Sequence, residues 1–147
     1  MPRSRRGGNA IEFAMLLPVF LLLLFAIMDF GWLFFNHSAA NSATARACRD
    51  GSLQDPGQNN ANLSNLIADT ETAMRTHYTA NGGTAPIDMA VVTMAGAAPQ
   101  RALNCRMEVS VPSFFGSAAL NFFDGSSRSF DTMTVAAEVS YKLEFQR

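Results

Sequence analysis

The sequence predicts an α+β protein in which a long N-terminal helix precedes a small domain with a second helix and an antiparallel sheet. Three observations lead to this prediction. An apolar run lies near the N-terminus, a segment with helical apolar spacing follows it, and two later segments alternate strictly between apolar and polar residues. The 147 residues leave room for one membrane helix and one domain of about 100 residues.

The first helix is predicted from the apolar run between Phe13 and Phe35. No charged or strongly polar side chain occurs from Phe13 to Met28, and Asp29 is the one acid in the run. As a helix, this run would cover about 35 Å, enough for a hydrocarbon core of about 30 Å. Arginines precede the run, so the positive-inside rule predicts a cytoplasmic N-terminus.

The segment from Asn36 to Gly51 predicts a soluble extension of this helix, because it is polar, rich in small residues and free of proline. Its alanines recur at helical spacing and form a narrow face of small side chains. That face consists of Ala39, Ala40, Ala43 and Ala47. Small side chains allow another helix or a sheet to approach closely. Gly51 is the expected C-cap of the extended helix.

A second, amphipathic helix is predicted from Asn62 to Ala80, with Asn62 or Ser64 as its cap and Asn81-Gly82-Gly83 as its end. Its apolar face is expected to cover a small core rather than to bind a partner. The residues at three- and four-residue spacing are Leu63, Leu66, Ile67, Thr70, Met74 and Tyr78.

Three later segments predict strands at 87–94, 103–111 and 135–146. The first is apolar on both faces, which leaves its register open. In the second, Leu103, Cys105, Met107, Val109 and Val111 are expected to point inward. A phenylalanine-rich connector, 112–130, lies between the last two strands. We expect it to complete the core, and the alternative is an exposed patch that touches a membrane or a neighbouring subunit.

Glu12 is unexpected at the start of a simple membrane anchor, because a carboxylate at the centre of a membrane helix costs about 2.5–3.5 kcal/mol. If cleavage falls between Gly7 and Gly8, Glu12 becomes the fifth residue of the mature chain and Phe13 follows it. This G-x-x-x-x-E-F arrangement before a leucine-rich run closely resembles the TadE/TadF-like pseudopilins, or minor pilins, of the tight-adherence (Tad, type IVc) pilus system. Arg46 and Arg49, with Ala45, also resemble the segment after the membrane helix in TadE-like proteins.

The resemblance implies a pilin-like chain with a leader at 1–7, a transmembrane helix at 8–35, a soluble extension at 36–51 and an exported domain at 52–147. A prepilin peptidase would recognise and cleave the segment that holds Gly7, Gly8, Glu12 and Phe13. Glu12 would then pair with the N-terminal amine of a neighbouring pilin subunit. The protein would reside in the bacterial inner membrane, with a periplasmic domain, and would assist assembly of the pilus or enter it. The alternative is an uncleaved single-pass scaffold or secretion accessory protein in the periplasm.

The remaining chemistry of the sequence does not point to an enzyme. His37 and His77 lack partners at metal-ligand spacing, and no phosphate-binding loop or nucleophile motif occurs, so we expect no metal and no cofactor. The net charge is −1 and falls to −4 without residues 1–7, which argues against nucleic-acid binding. Three interpretations of Asp29 are open: it takes part in a proton relay, it pairs with another subunit, or it lies near the outer membrane interface.

Cys48 and Cys105 are the only cysteines, and both follow the apolar run. An oxidising compartment outside the cytoplasm favours a disulfide between them, which would close a loop of about 58 residues. Two separate buried thiols are the alternative. In the chain-entropy model such a bond adds roughly 4 kcal/mol of stability.

Overall fold

The computed structural model describes residues 8–54, 60–96, 101–113 and 132–143. It confirms the α+β class, with two helices followed by one three-stranded antiparallel sheet. In chain order the elements are helix α1 (Gly8–Leu53), helix α2 (Asn60–Ala80) and strands β1 (Ile87–Ala95), β2 (Ala102–Pro112) and β3 (Thr132–Lys142).

Helix α1 is 46 residues long and contributes to two compact units of the chain. The first unit comprises Met1–Trp32 with Ser113–Asp131, and the second comprises Leu33–Pro112 with Thr132–Arg147. In the first unit, the large apolar side chains of α1 are mostly exposed, as expected for a helix that is apolar on all sides. In the second unit, the alanine face predicted from the sequence is buried.

Gly51 does not cap α1 as expected, because the helix runs through it and ends at Leu53. A side chain at this position would meet α2 and the sheet. A Cβ atom on Gly51 would lie 2.5 Å from Thr70 Oγ1 and 3.1 Å from Leu103 Cδ2. The glycine therefore allows α1 and α2 to pack closely. The helix ends two residues later, at Leu53, and the N–H of Gln54 donates to the carbonyl of Gly51.

Helix α2 presents its predicted apolar stripe to the core, with Leu66, Thr70, Met74 and Tyr78 buried. It begins two residues before the expected cap at Asn62. Its end is as predicted, because the N–H groups of Asn81 and Gly82 donate to carbonyls of the last turn. Gly82 adopts a φ of +83°, a left-handed conformation that glycine accepts without steric cost.

The sheet has the order β1-β2-β3, and the apolar residues of β2 lie at its centre. Cys105 is opposite Val92 on β1 and Val139 on β3, so these three side chains share one face. All five inward residues predicted on β2 are buried, with exposures of 0 to 2%. Strand β1 has a register shift between Ile87 and Met89, after which Ala90 and Val92 face the core.

Strand β3 begins three residues earlier than predicted and ends at Lys142. The last part of the predicted strand, 144–146, lies outside the described residues, as does the phenylalanine-rich connector from Phe114 onward. On the inward face of β3, Ala137 is buried, whereas Val135, Val139 and Tyr141 are half-buried. The helices thus cover β2 more completely than they cover β3.

Candidate functional site

The predicted processing segment lies at the start of α1. Gly7 is outside the described residues, and Gly8 is the first residue of the helix. Glu12 and Phe13 lie in the next turn, and both side chains are exposed. The described part of the chain therefore leaves the carboxylate of Glu12 open to a partner.

The apolar surface that follows Glu12 could cross a membrane. The described residues contain one helix that is long and apolar enough, spanning Ile11–Leu53. Side chains all around its first half are exposed, including Leu16, Phe20 and Ile27 at 58 to 66%. Lipid tails are a suitable environment for such a surface, since α1 satisfies its backbone hydrogen bonds internally.

Asp29 accepts a hydrogen bond from Ser113, the residue after β2. The hydroxyl of Ser113 donates to Asp29 Oδ2 over 2.9 Å, and both residues are half-buried. This carboxylate therefore has a partner within its own chain.

Asn36 is the centre of a buried polar cluster, which we call the Asn36 node. Its side chain is 0% exposed, and its Oδ1 atom accepts a hydrogen bond of 2.8 Å from the hydroxyl of Tyr78. The backbone N–H groups of Thr84 and Ala85 donate to the same oxygen, each over 3.4 Å. One amide oxygen thus joins α1 to α2 and to the turn before β1.

Tyr78 shows the electrostatic effect of this burial. Loss of hydration raises the pKa of the Tyr78 hydroxyl above its ordinary value of 10.0, and a hydrogen bond with the backbone of Ala85 acts in the opposite direction. The neutral hydroxyl is therefore the favoured form. As a neutral group it can donate its proton to Asn36, which the phenolate cannot do.

Cys48 and Cys105 form a disulfide that links α1 to the central strand. Their Cα atoms are 6.0 Å apart, and both side chains are fully buried. Cys48 lies next to Ala47 on the alanine face, where small side chains allow α1 to approach β2. The sulfur of Cys48 is 3.5 Å from the carbonyl oxygen of Leu103, which shows how closely the helix and the strand pack.

Glu71 covers the outer edge of the sheet. Its Oε1 atom accepts a hydrogen bond of 3.0 Å from the backbone N–H of Val92 on β1. Among the described strands β1 pairs only with β2, so this N–H would otherwise be an unpaired donor at the edge of the described sheet. Such donors invite pairing with other chains, so the carboxylate protects the edge as well as joining α2 to β1.

Neither Asn36 nor Glu71 was identified from the sequence. Asn36 could have been found, because it precedes Ala40, Ala43 and Ala47 at the same helical spacing and so lies on the buried face. Glu71 gave no such signal, since its role depends on which sheet edge lies beside α2. Within the described ranges, no group of three or more metal-ligating side chains comes together.

The fold and the site define a class of protein: one N-terminal helix consistent with a single membrane pass, continued into an exposed α+β domain. Residues 7–49 match the family model described as TadE-like protein. Over this segment, which is less than half of the chain, the protein is similar to TadE-like proteins of the Tad pilus system. The match covers α1 from its first turn to the alanine face and Cys48. No curated protein and no solved structure matched the chain.

Proposed function

We propose that this TadE-like protein is a minor pilin or pseudopilin that a prepilin peptidase processes before it acts in assembly of a Tad-type pilus. The observation that carries the proposal is the match over residues 7–49, which begins at Gly7 and includes Glu12. Association with the membrane and with pilin or assembly partners follows from the family. In this role the protein acts as a substrate of the peptidase and as a structural subunit.

Processing between Gly7 and Gly8 removes the basic leader and frees the amine of Gly8. Mature α1 keeps the apolar surface that anchors it in the inner membrane. The mature N-terminus would lie at the cytoplasmic side, and the domain would lie in the periplasm.

Glu12 then pairs with the N-terminal amine of a neighbouring subunit. Its exposure on α1 supports this role, since a partner chain can reach the carboxylate. Both groups lose hydration when α1 enters the membrane, and each offsets that cost best by contacting an opposite charge. The buried disulfide supports the exported location of the domain, because such bonds persist in oxidising compartments.

The N-terminus of the protein extracted from its native membrane tests processing directly. Mass spectrometry is expected to find chains that begin at Gly8. Chains that begin at Met1 would refute processing and support an uncleaved periplasmic scaffold or secretion accessory instead. A chain that begins at Asn9 would retain processing but would move Glu12 to the fourth position and weaken the pairing argument.

Substitution of Glu12 tests pairing. Glu12→Ala is expected to leave insertion and cleavage intact and to reduce cross-linking to other pilin subunits at least tenfold, because the amine loses its partner. Leu16→Ala is the matched control, since it shortens an exposed side chain one turn away without removing a charge. Equal cross-linking yields for Glu12→Ala and the wild type would refute the pairing.

A further inference from the structure

The position of α1 along the membrane normal can be derived from two contacts that the helix makes with non-helical backbone. The first is the hydrogen bond between Asp29 and Ser113. The second joins Phe35 to the turn at Gly82, where a Cβ atom would lie 3.3 Å from the Phe35 ring. Ser113 and Gly82 both lie outside the helices and strands.

Irregular backbone does not occur in contact with lipid tails, because its N–H and C=O groups would lack hydrogen-bond partners there. Ser113 and Gly82 therefore lie outside the hydrocarbon, and side chains in contact with them lie at its boundary or beyond it. This excludes a hydrocarbon span that continues to Phe35, although the sequence is apolar up to that residue.

We propose that Asp29 marks the outer boundary of the hydrocarbon and that the next two turns of α1 lie among the lipid headgroups. A core of about 30 Å takes about 20 helical residues, which places residues 9–28 within it. Glu12 is 17 residues before Asp29 and so lies about 25 Å away along the axis, close to the inner boundary. This position reduces the desolvation cost of Glu12 compared with the midplane.

The side chains after Asp29 suit the headgroup region. Phe30 and Phe34 are 69% and 65% exposed, and Trp32 lies between them. Aromatic residues are enriched at membrane–water interfaces, and the two exposed phenylalanine rings suit that position. The partner of this surface is thus the outer leaflet at headgroup depth, and Phe35 lies where the domain begins to cover the helix.

Trp32 is the only tryptophan of the chain and reports its own depth. The full-length protein is reconstituted in phosphatidylcholine–phosphatidylglycerol vesicles, with lipids brominated either near the carboxyl end or near the methyl end of the acyl chain. The proposal puts Trp32 about 20 Å from the bilayer centre, and a span that ends at Phe35 puts it about 10 Å away. The ratio of the quenching by the two lipids gives the depth of Trp32. A distance of about 20 Å from the bilayer centre is expected, and a distance of about 10 Å or less would overturn the proposal.

A variant that carries Phe20→Trp and Trp32→Phe calibrates the measurement. Phe20 is nine residues inside Asp29, about 13 Å along the axis, and therefore close to the midplane. Bromine near the methyl end is expected to quench this variant most strongly. That result shows insertion independently of pilus function or processing. If bromine near the carboxyl end quenched both tryptophan positions most strongly, α1 would lie along the membrane surface and the proposed boundary would be wrong.

Discussion

Tyr78→Phe removes one hydroxyl from the Asn36 node while it keeps the buried ring. The lost hydrogen bond joins two neutral groups at 2.8 Å, and such bonds contribute about 0.5–1.5 kcal/mol. Asn36 Oδ1 retains two backbone donors, so it is not left without a partner. We therefore expect the free energy of unfolding to fall by about 1 kcal/mol.

Asn36→Ala has a larger expected effect, because it removes the acceptor of three donors, two of which, the Tyr78 hydroxyl and the Ala85 N–H, are buried. Each of these long or neutral hydrogen bonds contributes about 1 kcal/mol, and the substitution also leaves a small cavity. The free energy of unfolding is therefore expected to fall by roughly 2–4 kcal/mol. In the double variant the Tyr78 hydroxyl is absent, so Asn36→Ala leaves one donor fewer without an acceptor. The two substitutions should therefore couple by about 1 kcal/mol in a double-mutant cycle.

Urea unfolding of the full-length protein in dodecyl maltoside micelles, followed by circular dichroism, measures these free energies. Tyr141→Phe is the matched control, since Tyr141 is a half-buried tyrosine outside the node. A loss for Tyr78→Phe that does not exceed the control would refute the reasoning. A coupling energy near zero would show that Asn36 and Tyr78 stabilise the domain independently.

Three further predictions concern the edge of the sheet, the disulfide and the response to alkali. Glu71→Ala is expected to speed hydrogen exchange of the Val92 amide about fivefold, because loss of the hydrogen bond lowers the free energy of local opening by about 1 kcal/mol. Glu71→Gln keeps an acceptor and should change the exchange rate little. Equal exchange rates in the two variants would contradict protection of the sheet edge by Glu71. Denatured, unreduced protein should show no reactive thiol and no disulfide-linked dimer. Reduction should lower the free energy of unfolding by roughly 4 kcal/mol. Two reactive thiols per chain would contradict the bond between Cys48 and Cys105. Because the pKa of Tyr78 is raised on folding, the stabilising effect of its neutral hydroxyl is complete below about pH 10 and is lost as the pH rises through the higher pKa of the folded state. The free energy of unfolding of the wild type should therefore fall more steeply above pH 10 than that of Tyr78→Phe. Parallel curves for the two proteins would contradict this prediction.

The fold was predictable where the burial of one face of a helix or strand leaves a regular pattern in the sequence. Strict alternation in β2 reflects burial of one sheet face, so the inward residues from Leu103 to Val111 could be identified in advance. The alanine face likewise predicted close packing of α1. Gly51 was misinterpreted because a glycine before a turn-rich segment resembles a C-cap, whereas its observed role depends on Thr70 and Leu103, which lie far away in the sequence.

The segment around Glu12 could be predicted from the sequence, whereas the contacts of Asp29 and of the Asn36 node could not. The segment around Glu12 follows from local spacing alone, and its role stays a prediction because a second subunit or a peptidase must act on it. Asp29 could not be interpreted beyond three alternatives, since its partner Ser113 is 84 residues away. The Asn36 node likewise requires Tyr78 and the following turn, which only the folded chain brings together.

The disulfide encloses α2, β1 and the start of β2 in a covalent ring, and β3 lies outside it. Residues 48 and 105 close this ring, whereas β3 begins at Thr132. Strand β1 lies inside the ring, so the disulfide holds the chain on both sides of it when it detaches from β2. Strand β3 can separate from β2 by breaking one set of inter-strand hydrogen bonds, and the inward face that it exposes is mostly half-buried already. Local opening is easiest where few buried contacts must break. The last strand is therefore the part of the domain that would exchange most readily between its closed and open states.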